Sequence, residues 1–472
     1  MDVQPVFLWT DVLLFGLMAC IGLAAWRARR SEPMRAAWRR VGESAVGMAS
    51  LTVLLLFLVV GLLDSLHYRP YLPPAPDAQV TNGRGPVSTE VRSALDALAE
   101  PLRTRVEKTY SAPLAYALFA KQTIEKADGT QQRAFPRLKF GGAGLQYPEE
   151  DHAGDVLGRV GLGLALAAGA WCVLAGCLVQ GVAMSRMVPF GAAWRAVWRG
   201  KGGLAWRAVL VTLGLVFLFA GPVAVLAGEY HVFGTDKVGQ DVLFLTLKSI
   251  RTALVIGTLT TLVTLPVAVV LGIMAGYLGG WVDDLIQYVY TVLNSIPGVL
   301  LIAAAVLMMQ VVIDTHPQWF ETAAERADAR LLALCLILGM TSWTGLCRLL
   351  RGETLKLREL EYVQAARAFG VSTARILSRH VLPNLMHLVL IALVMDFSGL
   401  VLAEAVLSYV GIGVDPGTVS FGTMINAARM ELAREPMVWW SLMAAFLFMF
   451  VLVLAANLFA DAVRDAFDPR AS

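Results

Sequence analysis

Two carboxylates stand inside one apolar stretch, residues 385–410: Asp396 near its middle and Glu404 nearer one end. A charged group at the bilayer centre costs about 2.5–3.5 kcal/mol on insertion scales, so it normally faces a polar cavity or a partner. Their chemistry is then either attraction of the cationic end of a solute or a structural contact such as capping or helix pairing. Asn294 and Ser295 offer neutral polar groups to the same passage, or hydrogen bonds across helices. Covalent and metal chemistry find no arrangement to use. There is no HExxH and no GxSxG, the six histidines are scattered, and the five cysteines all fall in apolar runs, where they read as small buried hydrophobes. A phosphate cradle needs GxxxxGK[ST]; the fragment RGKGG at 199–203 lacks the spacing and the hydroxyl. No ATPase is therefore encoded in this chain.

A third pattern is mechanical. Residues 361–385 read EYVQAARAFGVSTARILSRHVLPNL. Leu357, Leu360, Val363, Ala366 and Phe369 step by three through 353–370, which predicts a helix. Gly370 can take a positive φ cheaply and turn the chain. A second short helix over 372–380 then leads to Pro383, which suits the first turn of a following span because its missing N–H costs nothing there. Ala365 and Ala366 leave little side chain, so another surface can approach the backbone closely.

The elements that must position these residues are membrane helices. The chain is 57% hydrophobic and 16% charged, against about 25% charged in a typical soluble chain. A net charge of +3 is too slight to point to nucleic acid. Runs of about 20 apolar residues, the length needed to cross the hydrocarbon core, predict nine spans: 6–26, 41–63, 157–181, 208–227, 251–276, 284–312, 331–350, 385–410 and 437–460. The first run follows Asp2 rather than a basic stretch, which predicts a span rather than a cleaved signal peptide. Loops 27–40, 182–207 and 348–384 are rich in arginine and fall on one side, predicted to be the cytoplasm. Loop 277–283 is on that side without a base. The N-terminus is then periplasmic and the C-terminus cytoplasmic. Gly272 and Gly276 form a small-xxx-small pair suited to close helix approach. Pro266 and Pro297 interrupt spans and kink a gate helix or a static one.

The organisation that follows has four parts: two spans in 1–63, a polar external segment in 64–156, two more spans in 157–230, and a core in 231–472 that contains the 353–383 loop. The external segment opens with Pro70, Pro73, Pro74 and Pro76 and a turn at Asn82-Gly83. Val91, Leu95, Leu98, Leu102 and Val106 have helical spacing interrupted by Pro101. A small helical, partly irregular domain is expected, lining a substrate entrance or serving packing and assembly.

Residues 364–383 resemble the EAA loop of ABC importer permeases: Gln364-Ala365-Ala366, three residues, Gly370, nine residues, then His380-Val381-Leu382-Pro383. Glutamine stands where the family has glutamate, and histidine where it has isoleucine. The phrases HVFGTDKVGQDVL (231–243), AGYLGGWVDD (275–284), SWTGLCRLLRGETL (342–355), LAEAVLSYVGIGVDP (402–416), SFGTMI (420–425) and NLFADAVRDAFDPR (457–470) are similar, in order, to the oligopeptide and dipeptide (peptide/nickel) subfamily. Gln240 departs from the arginine usual there. The resemblance covers 231–472, with 41–63 as the family's usual first span and 6–26, 157–181 and 208–227 as additions.

The resemblance implies an all-α membrane protein with a type I importer permease core, acting in the bacterial inner membrane on peptides or peptide-like solutes. It implies no catalysis and no cofactor in this chain; ATP and Mg are used by two ATP-binding subunits. Other implied partners are a second, different permease subunit, a periplasmic solute-binding protein and membrane lipid, with no nucleic acid. The coupling hinge is then Ala365, Ala366 and Gly370, with Gln364 and Pro383 in the same motif and Glu361 and Arg367 at the rim. Asp396, Glu404 and Asn294 are candidates for the substrate path. Alternatives are a non-peptide solute such as a nickel chelate, or a secondary transporter or channel working alone. The latter calls for an internal repeat with paired broken helices, and none is evident.

Overall fold

A computed structural model describes residues 3–28, 30, 32–71, 87–125, 131–200, 203–320 and 322–467. The Asn82-Gly83 turn and Pro73, Pro74 and Pro76 lie outside the described residues. Strand β1 (Val3–Val6) leads into helices α1 (Trp9–Ala28), α2 (Glu32–Glu43) and α3 (Ala45–Asp64). The Ser44 hydroxyl accepts from the Gly47 N–H at 3.1 Å and starts α3, satisfying one of the donors a helix start leaves over. Strands β2 (His67–Pro70) and β3 (Arg92–Ser93) follow.

The external segment departs from the helical expectation. It is built on two small antiparallel sheets, one ordered β1-β2-β3 with Val3 opposite Pro70 and Val6 opposite His67, the other β4 (Gln122–Glu125) with β5 (Gln131–Ala134). Only two short helices lie between them, α4 (Ala94–Leu98) and α5 (Glu100–Thr104). Ser93 and Asp96 form a capping box for α4, and Pro101 sits in the first turn of α5 instead of breaking one longer helix. Five residues per helix are too few to stand alone, so tertiary contacts decide this region.

Beyond it come α6 (Pro148–Arg186), α7 (Phe190–Trp198), α8 (Trp206–Leu226) and α9 (Val242–Leu278). Gly279 and Gly280, both at positive φ, turn the chain into α10 (Gly280–Ser295). The expected span 284–312 is two elements: α10 ends at Ile296-Pro297, and α11 (Gly298–Thr315) starts afresh. The residue before a proline is driven to extended backbone, and Ile296 has ψ 133°. Next are α12 (Ala323–Ser342) and α13 (Thr344–Arg358), then α14 (Glu361–Ala368), α15 (Thr373–Ile376) and α16 (Leu382–Val410), and last α17 (Phe421–Glu431) and α18 (Trp440–Phe467).

Eight helical stretches among the described residues are long and apolar enough to cross a membrane; the apolar part of α1, Trp9–Leu23, is shorter than these. The thiols divide. Cys335 and Cys347 are buried as expected, whereas Cys20, Cys172 and Cys177 are exposed on the outer faces of apolar helices.

Two compact units emerge, each assembled from separate stretches of chain: 1–6, 35–252 and 419–462 in one, 7–34, 253–418 and 463–472 in the other. In the first, α6 and α8 pack backbone to backbone. A Cβ at Gly163 would lie 2.6 Å from the Pro222 Cα, and one at Gly221 2.5 Å from the Ala167 Cβ. In the second, α9 packs on α13 through the predicted glycine pair. A Cβ at Gly272 would lie 2.8 Å from the Cys347 carbonyl oxygen, and one at Gly276 2.6 Å from the Thr354 Cβ. Around this seam a core gathers Ala275, Ile286, Leu350, Val363, Ile376 and Leu385.

Candidate functional site

The loop 353–383 is not the pair of helices its periodicity predicts. α13 stops at Arg358, and Leu360 is extended (ψ 142°), so 353–370 breaks into α13 and α14. The break turns Val363 into the core, where it is 1% exposed. Gln364 holds the break closed: its Nε2 donates to the Glu359 carbonyl at 3.2 Å and to Glu359 Oε2 at 3.4 Å. A glutamate, the family's residue at this position, has no N–H to give and would face the Glu359 carboxylate instead.

Gly370 takes φ +73° and would meet nothing within 4 Å if it carried a Cβ; it serves conformation, not packing. The second helix also differs from expectation. α15 passes through a π turn at Leu377–Val381 directly into α16, with Pro383 in the first turn of α16. The second short helix and the span are thus one continuous rod from Thr373 to Val410.

Around Val363 the helix surface is open. Glu361, Gln364, Ala365, Arg367 and Ala368 are exposed, Ala366 is half-buried, and Phe369 is 87% exposed. Asn384 Nδ2 donates to the Tyr362 hydroxyl at 3.0 Å and ties α14 to the start of α16. Below, the Arg351 guanidinium donates to both oxygens of Asp283 at 2.6 and 2.7 Å, a two-pronged pair between α13 and α10. Arg358 Nη1 donates to the Tyr277 carbonyl at 3.4 Å, beside the turn at Gly279.

The three path candidates occupy different settings. Glu404 is buried and accepts from Ser408 Oγ at 2.6 Å, and that oxygen accepts from the Val414 N–H at 3.4 Å. Glu404 thereby reaches the turn after α16, which Gly411 closes at φ +88°. Asn294 is exposed on α10, and its Oδ1 accepts from Thr344 Oγ1 at 3.1 Å. Asp396 is half-buried on α16 with no hydrogen bond or ion pair among the described residues.

One charged group escaped the sequence reading. His231, buried ahead of α9, donates through Nδ1 to Asp241 Oδ2 at 2.7 Å, and its Nε2 stands 3.6 Å from Glu107. Burial disfavours the charged ring, but the Asp241 bond and Glu107 outweigh it and raise its pKa to about 9. Burial likewise disfavours the Glu107 carboxylate. His231 and the backbone N–H groups of Lys139, Phe140 and Gly141 prevail, lowering its pKa to about 2. Nothing in linear spacing joins 107 to 231. The available signal was the dense polar phrase at 231–241 itself.

Residues 268–472 match the family of the binding-protein-dependent transport system inner membrane component. The chain is 34% identical over 242 residues to the oligopeptide transport system permease protein OppC of Mycobacterium bovis, covering 51% of this chain and 77% of that one. It is 31% identical over 244 residues to the dipeptide transport system permease protein DppC of Lactococcus lactis, covering 52% and 65%. With the glutathione transport system permease protein GsiD of Pectobacterium atrosepticum it shares 32% identity over 242 residues, covering 51% and 73%. Identity at this level over most of a relative's length, with the helical core and loop described above, leads to one assignment: the chain belongs to the binding-protein-dependent transport system inner membrane component family, a multi-pass, non-enzymatic permease subunit of an ABC importer whose ATPase is a separate chain.

Proposed function

We propose that this permease carries peptides or peptide-like solutes and that α14 is the seat of the ATPase. The relatives named for oligopeptide, dipeptide and glutathione transport support the solute class. The observation that carries the coupling assignment is the single anchor of α14. Val363 alone is buried, while two alanines, Arg367 and a large exposed phenylalanine face outward. An aromatic standing free beside small residues has the form of one half of an interface.

In this reading two ATPase subunits close on ATP and Mg and draw α14 with them. Gly370 lets α14 swing, and the rod from Thr373 carries the movement into α16. The seam of Gly272 and Gly276 and the Arg351–Asp283 pair pass it to α9 and α10. Closure must be favoured by contacts that differ between the two states, since equal binding to both shifts nothing. A second, different permease chain and a periplasmic binding protein complete the assembly. The basic loops are cytoplasmic and the N-terminus periplasmic. Pairing of β1 with β2, which keeps the N-terminus beside the external segment, supports that orientation. Asp396, half-buried without a partner, is the path residue the geometry favours over Glu404.

A cysteine at position 365 tests the central point: A365C should crosslink to the ATPase subunit, and the yield should change between nucleotide-free and ATP-bound states. Crosslinking by externally added impermeant reagent alone would sink the proposal.

A further inference from the structure

One short phrase recurs before residue 231. Ala-Trp-Arg occurs at 25–27, 37–39, 193–195 and 205–207, and nowhere later in the chain. The copies form two pairs with the same internal spacing of twelve residues. Each lies at the arginine-rich end of an apolar span: in the last turn of α1, in α2 ahead of α3, in α7 after α6, and at the start of α8.

In α2 and α7 the phrase has the same orientation. Ala37 and Val41 are buried in one, Ala193 and Val197 in the other. The tryptophan borders that buried face, and the next residue, arginine, is exposed in both. Along α7, Phe190, Trp194 and Trp198 form an aromatic row with ring centroids 6.0 and 6.1 Å apart. The fourth copy meets α2 as well: the Ala205 N–H, at the start of α8, donates to the Gly42 carbonyl at 2.7 Å. Residues 186–207 hold five basic residues and no acidic one; residues 24–43 hold six arginines against Glu32 and Glu43.

A shallow groove, open to the surface, runs along α6 towards this basic, aromatic rim. Val173, Gly176, Gln180, Gly181 and Met184 line it, and Phe190 of α7 closes its end. Gly176 and Gly181 place no side chain there, and a Cβ at either would meet nothing within 4 Å, so larger side chains at these positions have room to fill the groove. Gln180 is the polar side chain in the lining and lies six residues before Arg186, about 9 Å along the helix.

We propose that this is a phospholipid site. An anionic phospholipid of the cytoplasmic leaflet lays an acyl chain in the α6 groove. Its ester groups lie at the depth of Gln180, and its phosphate lies among Arg186, Arg195 and Arg199. Tryptophan favours the headgroup boundary, and basic residues beside a membrane attract anionic lipid. A soluble anion would make no use of an apolar groove continuous with the basic rim. The proposal rests on the orientation given above.

Native mass spectrometry tests it on the full chain in micelles of mixed phosphatidylcholine and phosphatidylglycerol. Wild type should retain phosphatidylglycerol over phosphatidylcholine. R195Q/R199Q should lower that retention by roughly fivefold per arginine. G176L/G181L fills the groove without changing charge and should lose the lipid as well, while K108Q/R133Q, an equal charge loss on the external segment, should retain it. Equal retention of both lipids by wild type, equal losses from the two charge variants, or displacement by inorganic phosphate with G176L/G181L unaffected would overturn the site. M187C in a single-cysteine background reports orientation separately. Labelling by an external impermeant maleimide would overturn the orientation, whichever lipid is retained.

Discussion

The region around His231 and the elbow around Gly370 both rest on a glycine with φ near +75°, yet they are built in opposite ways. Gly239 (φ +80°) is walled in: a Cβ there would lie 1.9 Å from the Glu107 carbonyl oxygen. Around it the buried polar groups are densely paired. Lys248 reaches Asp96 at 2.8 Å and Asp64 at 3.2 Å, Trp440 Nε1 donates to the Thr235 carbonyl at 2.9 Å, and the Ser111 N–H donates to Thr235 Oγ1 at 2.7 Å. A Cβ at Gly370 would meet nothing within 4 Å, and the helix before it keeps one buried anchor, Val363. Buried polar networks gain rigidity when they are satisfied; an exposed aromatic beside small residues is the kind of surface that interfaces use. The contrast separates a clamp that fixes the 107–141 region to its unit from an open elbow, the part that the proposed coupling role would move.

That contrast can be broken most severely at the clamp. Replacing His231 by alanine takes the charged partner from two buried carboxylates, and loss of one partner of a buried ion pair costs about 3–5 kcal/mol. Thermal unfolding of the purified chain in detergent should show a large drop in midpoint. A drop no larger than that of an exposed-site control would refute the clamp. At the elbow the expected effect is on transport instead. Ala365→Trp should abolish coupled uptake, a loss of about 2 kcal/mol or more at an interface centre, while leaving the unfolding midpoint within error. Equal loss of stability and transport would mean that α14 is merely structural.

The seam between α9 and α13 is intermediate. Gly276→Ala drives a methyl into Thr354 and should destabilise by about 1–3 kcal/mol, read as a lower midpoint.

A pH titration gives a smaller, graded effect. The pKa of His231 is raised, so its stabilisation is complete below the unfolded value near 6.5 and lost as pH rises through about 9. Glu107 is lowered, so its share is present above about 4.5 and lost as pH falls towards about 2. The clamp contribution should therefore be greatest between about pH 4.5 and 6.5, and His231→Gln should flatten the alkaline limb. An unchanged alkaline limb in that variant would exclude His231 as its source. The smallest expected change is at Asp396, where Asp396→Asn should weaken uptake of cationic peptides severalfold and spare neutral ones. Unaltered discrimination would remove Asp396 from the path.

Residue order alone determined that the chain is a bundle of membrane helices, that glycines at 272 and 276 mark a close crossing, and that a bent, small-residue loop with Gly370 at its turn lies between two spans. These are local properties: hydrophobic run length, small-residue spacing and the conformational freedom of one glycine are all written within a few turns of chain. Tertiary structure alone decided that 353–370 breaks at Leu360 so that Val363 can reach the core. It also decided that β1 and β2 pair across more than sixty residues, and that Glu107 meets His231. Each of these depends on partners distant in sequence. A buried carboxylate or a five-residue helix is stable only where the rest of the molecule supplies the hydrogen bonds and apolar contacts that offset its cost.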